Sequence, residues 1–258
     1  KADLLSNMVV EFPELQGVMG GHYLRLEGAD EGLWTAARDH YRPAGFEGDI
    51  PSSDMGRVLG IADRLDTIAG LFAVGEIPTG SKDPLGLRRA AQAVVKIVAE
   101  SGWDLDLGVA VRAAVDGLEG LDIPSEDAAD VVRAFLADRV RRYLTDQVGV
   151  YGDAADAVMA AGWTDLPELA ARARALDEVR ASEQMRALSL AFKRVKNITE
   201  DAADAGVDPA LFEQDEEREL HTAAGVFAAK LSDCVGARRF DEAFAAMGAL
   251  AEVLDRFF

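Results

Sequence analysis

The sequence predicts an all-α protein, on three observations. Apolar residues recur at three- and four-residue steps, most plainly in Val131, Val132, Phe135, Leu136, Val140, Tyr143 and Leu144, a spacing that lines one face of a helix. Capping residues and glycines punctuate such stripes. Alternating apolar–polar runs of strand length are essentially missing.

Three zones follow along the chain. Residues 1 to about 100 hold Gly- and Pro-rich turns between helices. Here Asp63 and Asp66 stand three apart on one helix. Thr79, Gly80, Ser81 and Lys82 form a turn, Asp83 and Pro84 open the next helix, and Arg88 and Arg89 project from its first turns. Residues from about 101 to 190 are alanine-rich, long-helix material. Ser125 with Glu126 and Asp127 suits a helix start, and Gly162 a helix stop. After Asn197 comes an acidic linker, Thr199 to Asp208. Asp208 and Pro209 then read as N-cap and first residue of a helix over about 209–234, with Gly236 beyond it. A last helix, about 240–258, takes Asp241 as its cap and turns Phe244, Met247, Leu250, Leu254 and Phe257 inward. Trp34, Trp103 and Trp163 read as core or helix-junction anchors.

The bulk numbers set limits on function. A chain of 258 residues forms one large domain or two smaller ones. Hydrophobic residues make up 49% and charged residues 28%, a balance ordinary for a globular protein that closes its core without staples. The single cysteine, Cys234, allows no intrachain disulfide and fits a reducing cytoplasm. No run approaches the roughly 18 apolar residues of a membrane span, and no signal-peptide pattern opens the chain. The net charge of −19 argues against nucleic acid as a partner of the whole surface. Screening over about 8–10 Å still lets a local basic patch hold phosphates.

Four basic groups are candidates for such a patch. Lys82, Arg88 and Arg89 can meet a phosphate or an acid on a partner, or pair with Asp63, Asp66 or Asp83 within the chain. Arg139, Arg141 and Arg142 follow Asp138. Lys193, Arg194 and Lys196 lie together, with Lys193 and Lys196 on one helical face and Phe192 and Val195 on the other. Arg238 and Arg239 fall between two helices. Each group also matches an ordinary solvated helix surface. Gly75 to Lys82 resembles a phosphate-binding loop only superficially, because Ser81 precedes Lys82 and Pro78 interrupts it. Asp63 and Asp66 can share a divalent ion, but solvated acids are the commoner case, and His22, His40 and His221 form no ligand pair. No Ser-His-Asp, Cys-His or paired-Glu arrangement stands out, so the expectation is no catalytic residue and no metal.

Several blocks, in order, resemble one family across almost the whole chain. They are Lys1-Ala2-Asp3-Leu4-Leu5 with Met8-Val9, Glu11 to Gly17 with Met19-Gly20, His40-Tyr41-Arg42-Pro43, Asp63 to Asp66, Pro78 to Ala90, and Phe192 to Ile198. The family is the β subunit of the bacterial α2β2 glycine–tRNA ligase. The resemblance implies an HD-like helical portion over residues 1–100, a helical middle region over 101–190, and the start of an anticodon-binding domain like that of arginine–tRNA ligase over 191–258. It implies that the α subunit carries the class II core using ATP and Mg, and that the β subunit binds tRNA(Gly) in a cytoplasmic, membrane-free tetramer. Lys82, Arg88, Arg89, Lys193, Arg194, Lys196, Arg238 and Arg239 become the inferred tRNA contacts. An active HD centre needs histidines, yet Lys1-Ala2-Asp3 has none, which implies an HD-like fold without its metal or chemistry. The chain also covers only part of the family pattern and reads as a fragment. Two alternatives stand beside this reading: an HD-type metal-dependent phosphohydrolase, and a helical scaffold that docks the α subunit.

Overall fold

The structure, a computed structural model, describes residues 1–78, 83–118, 128–199 and 206–258. Among these residues every regular element is helical, as expected. The Thr79–Lys82 turn, the helix start at Ser125, Glu126 and Asp127, and most of the acidic linker lie outside the described residues. The chain divides into two compact units, Lys1–Ala170 and Ala171–Phe258.

The first unit begins with short turns and α1 (Asn7–Glu11), then α2 (Val18–Leu26), α3 (Glu31–Asp39), α4 (Asp54–Ala73), α5 (Leu87–Ser101), α6 (Leu107–Asp116), α7 (Ala128–Tyr143) and α8 (Gly152–Ala160). A ninth helix, α9 (Leu166–Val179), spans the division. Ser53 starts α4 by accepting the Gly56 N–H at 3.1 Å, one of the donors a helix start leaves free. Gly86 and Gly102 bracket α5 in the left-handed region, at φ 69° each, where a Cβ is costly.

The core of this unit forms where α4 packs on α5, α6 and α7. Ile68, Leu87, Val94, Val95, Ile97, Val98 and Leu136 are fully buried there, each contributing about 1.5–3 kcal/mol of burial. Lys96 is buried too, and its ammonium lies 2.7 Å from Glu100, which keeps the charge paired.

One buried arginine ties the unit's first half to α4. Arg64 is 9% exposed. Its Nη1 donates to the carbonyls of His40 (2.7 Å) and Gly60 (2.9 Å), and its Nη2 to those of Tyr41 (2.6 Å) and Pro43 (3.1 Å). Four carbonyls thus replace the water the guanidinium loses. Trp34 sits by the α2–α3 pairing, with the Arg38 guanidinium 5.3 Å from its ring. Gly21 permits that pairing, since a Cβ there would lie 2.9 Å from the Trp34 carbonyl oxygen.

The second unit comprises the rest of α9, then α10 (Glu183–Thr199), α11 (Asp215–Gly236) and α12 (Phe240–Phe257). Helix α12 packs on both α10 and α11. Two expected starts are corrected here. Asp208 and Pro209 open only a short 3-10 turn, Pro209–Leu211; the long helix begins after Gln214. There Glu217 reaches back to accept the N–H groups of Gln214 and Glu213 at 2.8 and 2.7 Å, a capping box that outcompetes the earlier Asp-Pro signal. Likewise Arg239, not Asp241, precedes α12, and Asp241 lies in its first turn, where an acid still favours the helix dipole. Of the residues expected inward, Phe244, Met247, Leu250 and Leu254 are half-buried and Phe257 remains exposed.

Candidate nucleic-acid interface

Ser182 stands just before helix α10, and its hydroxyl accepts the Met185 N–H at 3.1 Å. The helix packs on α12, with Ala191 buried and Leu188 and Val195 half-buried. The opposite face carries Arg186, Ser189, Lys193, Lys196 and Asn197, all exposed and stepping by three and four. Among the described residues no acid pairs with Arg186, Lys193 or Lys196. Phe192 stands beside this row, four residues before Lys196, and is 67% exposed. The expectation that Phe192 shares Val195's apolar face is therefore corrected. Ala191 takes the buried position, and the next residue turns about 100° toward solvent.

Arg194 points elsewhere: its Nη1 lies 3.1 Å from Asp255 of α12. Arg239 is held between Asp233 (2.7 Å) and Glu242 (2.8 Å). Hydrogen bonding to Glu242, before all else, raises its pKa above the ordinary arginine range. Arg238 is the left-handed residue of the α11–α12 turn, at φ 55°. Its N–H bonds the Val235 carbonyl at 3.0 Å, and the Arg239 N–H bonds the Cys234 carbonyl at 2.8 Å. These are the two bonds of a Schellman cap, at whose left-handed position glycine is usual. An arginine there carries backbone strain that a glycine would not.

In the first unit, Asp83 accepts the Arg88 N–H at 3.1 and 3.2 Å and lies 3.9 Å from the Arg89 guanidinium. Arg88 Nη2 also reaches the Pro78 carbonyl at 3.4 Å. Lys82 falls outside the described residues.

Of the two acids flagged for metal binding, one is engaged in an ion pair. The Lys1 ammonium sits on the Asp63 carboxylate, and Asp66 is exposed. Asp3 is buried, with Oδ2 accepting the Gly17 N–H at 2.7 Å. The His40 Nδ1–H donates to the Ala37 carbonyl at 2.8 Å, and burial lowers its pKa below the usual histidine value. Among the described residues no three of His, Cys, Asp and Glu come together as ligands would, and these donors do not fit a divalent ion.

Sequence reasoning missed Arg186, which lay seven residues before Lys193 on the same helical face. It also missed Arg64, which stands between the more conspicuous Asp63 and Asp66 and finds three of its four carbonyl partners more than twenty residues earlier in the chain.

The described residues thus form an all-helical fold in which one face of α10 is exposed and basic. Residues 1–160 match the family model of the glycyl-tRNA synthetase beta subunit, and the chain belongs to that family. It is 40% identical, over its whole length, to the glycine–tRNA ligase beta subunit of Geobacter metallireducens, of which it spans 38%. It is 41% identical over 93% of its length to that of Anaeromyxobacter dehalogenans, spanning 34%. That of Acidobacterium capsulatum is 40% identical, with 38% spanned. The chain thus covers a little over a third of these relatives. Among the described residues no helix is long and apolar enough to cross a membrane.

Proposed function

We propose that this chain is the tRNA-holding, non-catalytic part of a glycine–tRNA ligase β subunit. An α subunit would perform the ATP- and Mg-dependent attachment of glycine to tRNA(Gly), in a cytoplasmic α2β2 assembly. Residues 1–100 are assigned to the HD-like portion, 101–190 to the helical middle region, and 191–258 to the start of the anticodon-binding domain.

The outer face of α10 carries this reading. On a chain of net charge −19, Arg186, Lys193 and Lys196, which have no acidic partner among the described residues, form a basic row next to an exposed aromatic ring, and Arg238 adds a strained basic turn. Such rows follow a phosphate backbone, and an exposed ring offers a surface for an unstacked base. Arg194 and Arg239 meet RNA only if their acids yield.

The test is binding of labelled tRNA(Gly) to the β subunit across a salt series. Affinity falls steeply with salt, and Lys193→Glu with Lys196→Glu lowers the logarithmic salt slope by about two, since each phosphate contact releases counterions. Salt-independent binding, or no binding by the intact subunit, overturns the proposal.

A second, compatible reading is subunit docking. Val58, Ile61, Leu65, Trp103, Ala110 and Ala113 line an open apolar groove of about 430 Å³ beside α4 and α6. An apolar groove edged by Asp66 suits a protein partner better than RNA. Co-purification of the α subunit, lost in Ala113→Arg, checks it.

A further inference from the structure

The arginines of the second unit are held by their acids to different degrees. Arg239 lies between two carboxylates, Asp233 at 2.7 Å and Glu242 at 2.8 Å. Arg256 sits on Glu219 and fastens α12 to α11. Arg194 differs from both. It stands on α10, one residue after Lys193 and about 100° round the helix from it. Among the described residues its one acid is Asp255 of α12, 3.1 Å away. Both side chains of that pair are more than half exposed, at 55% and 54%.

Such a pair holds weakly. An ion pair open to water shifts an equilibrium by about fivefold at most, because water and salt screen it. A phosphate offers the same guanidinium two oxygens at once, and a polynucleotide releases condensed counterions besides. Where both anions are in reach, the guanidinium moves to phosphate. The carboxylate it leaves then repels the chain. The geometry puts both in reach, since Arg186, Lys193 and Lys196 line the outer face of the same helix. The long Arg194 side chain needs only to swing from α12 toward that row. A strand already seated on Lys193 and Lys196 presents its next phosphate at high local concentration, which favours the exchange. Arg239 would have to leave two acids at once and does not make it.

We propose that Asp255 is a built-in competitor for tRNA. It holds the Arg194 guanidinium in the free protein and gives it up to a backbone phosphate on binding, so this one acid sets how tightly the α10 face holds RNA. The inference rests on the tRNA reading of that face given above.

The experiment measures binding of labelled tRNA(Gly) to the β subunit and to its Asp255→Asn, Arg194→Gln and doubly substituted variants. Asp255→Asn is expected to tighten binding about threefold, and Arg194→Gln to lower the logarithmic salt slope by about one. The decisive quantity is their coupling. Arg194→Gln should weaken binding about threefold more in the Asp255→Asn background than in the native one. Glu252→Gln is the charge control, since it removes an exposed acid one turn earlier on α12. If Asp255→Asn tightens binding no more than Glu252→Gln, the effect is diffuse charge and the proposal falls. It falls equally if Arg194→Gln costs the same in both backgrounds. Urea midpoints should stay unchanged; a loss of stability with affinity unmoved would make the pair a strut and overturn the exchange. Lys193→Glu with Lys196→Glu separates the two readings. If that double variant weakens tRNA binding while Asp255→Asn leaves it alone, this inference alone is lost. If no variant moves tRNA binding, the tRNA reading is lost and this one with it.

Discussion

The unit Lys1–Ala170 and the unit Ala171–Phe258 are both helical but bury different side chains. The first fills its core with Ile68, Leu87, Val94, Val95, Ile97 and Leu136. Among its described residues the second buries Ala173, Ala175, Ala191, Ala243, Ala246 and Ala251, with only Cys234 and Phe240 larger. Alanine lets helices approach closely but removes little apolar surface from water. Large apolar groups of the second unit, such as Leu190, Phe192, Leu211 and Val226, stay exposed. One unit is a well-filled scaffold; the other offers surface, and it carries the basic face of α10.

Four experiments can break or sharpen that contrast. The largest effect is expected at the scaffold's centre. Ile68→Ala should cost about 2–5 kcal/mol in urea unfolding, whereas Leu254→Ala on half-buried α12 should cost about 1. Equal costs would erase the distinction. Arg64→Ala comes next. It leaves the carbonyls of His40, Tyr41, Gly60 and Pro43 without their common donor and should cost about 3 kcal/mol; a loss below about 1 would mean that water replaces the guanidinium freely. In the second unit the sign reverses. Arg238→Gly relieves the left-handed strain and should stabilise by about 1 kcal/mol while weakening tRNA binding. A variant that is both more stable and fully competent would deny the side chain its role.

The smallest effect concerns pH. Burial holds the His40 pKa below the ordinary value, so the unfolded chain takes up a proton first as pH falls. This contribution is complete above the unfolded pKa, about 6.5, and is lost progressively as pH drops from there toward the folded value. His40→Gln should flatten the stability profile in that window, measured by urea midpoints. An unchanged profile would place the titration elsewhere.

The helical class was legible because helical spacing repeats wherever a face is buried. The outer row of α10 was partly legible, since Lys193 and Lys196 lie three apart within a single element. What escaped depends on position in space. Arg194 and Asp255 stand 61 positions apart in the sequence, and only the packing of α10 on α12 brings them together. Asp208-Pro209 carried a strong local signal, but the reciprocal bonds of Gln214 and Glu217 decided where α11 begins. Phe192 and Val195 look alike in composition; the docking of Ala191 decides which of them faces solvent.

The lone thiol offers a native reporter. Cys234 is buried, one turn before the cap that ends α11, and its carbonyl anchors that cap. A thiol reagent reaches its sulfur only when the local structure opens, so the labelling rate at fixed reagent reads the opening equilibrium of this helical pair. Slower labelling on adding tRNA would mean that the ligand steadies the thinly packed helices it rests upon.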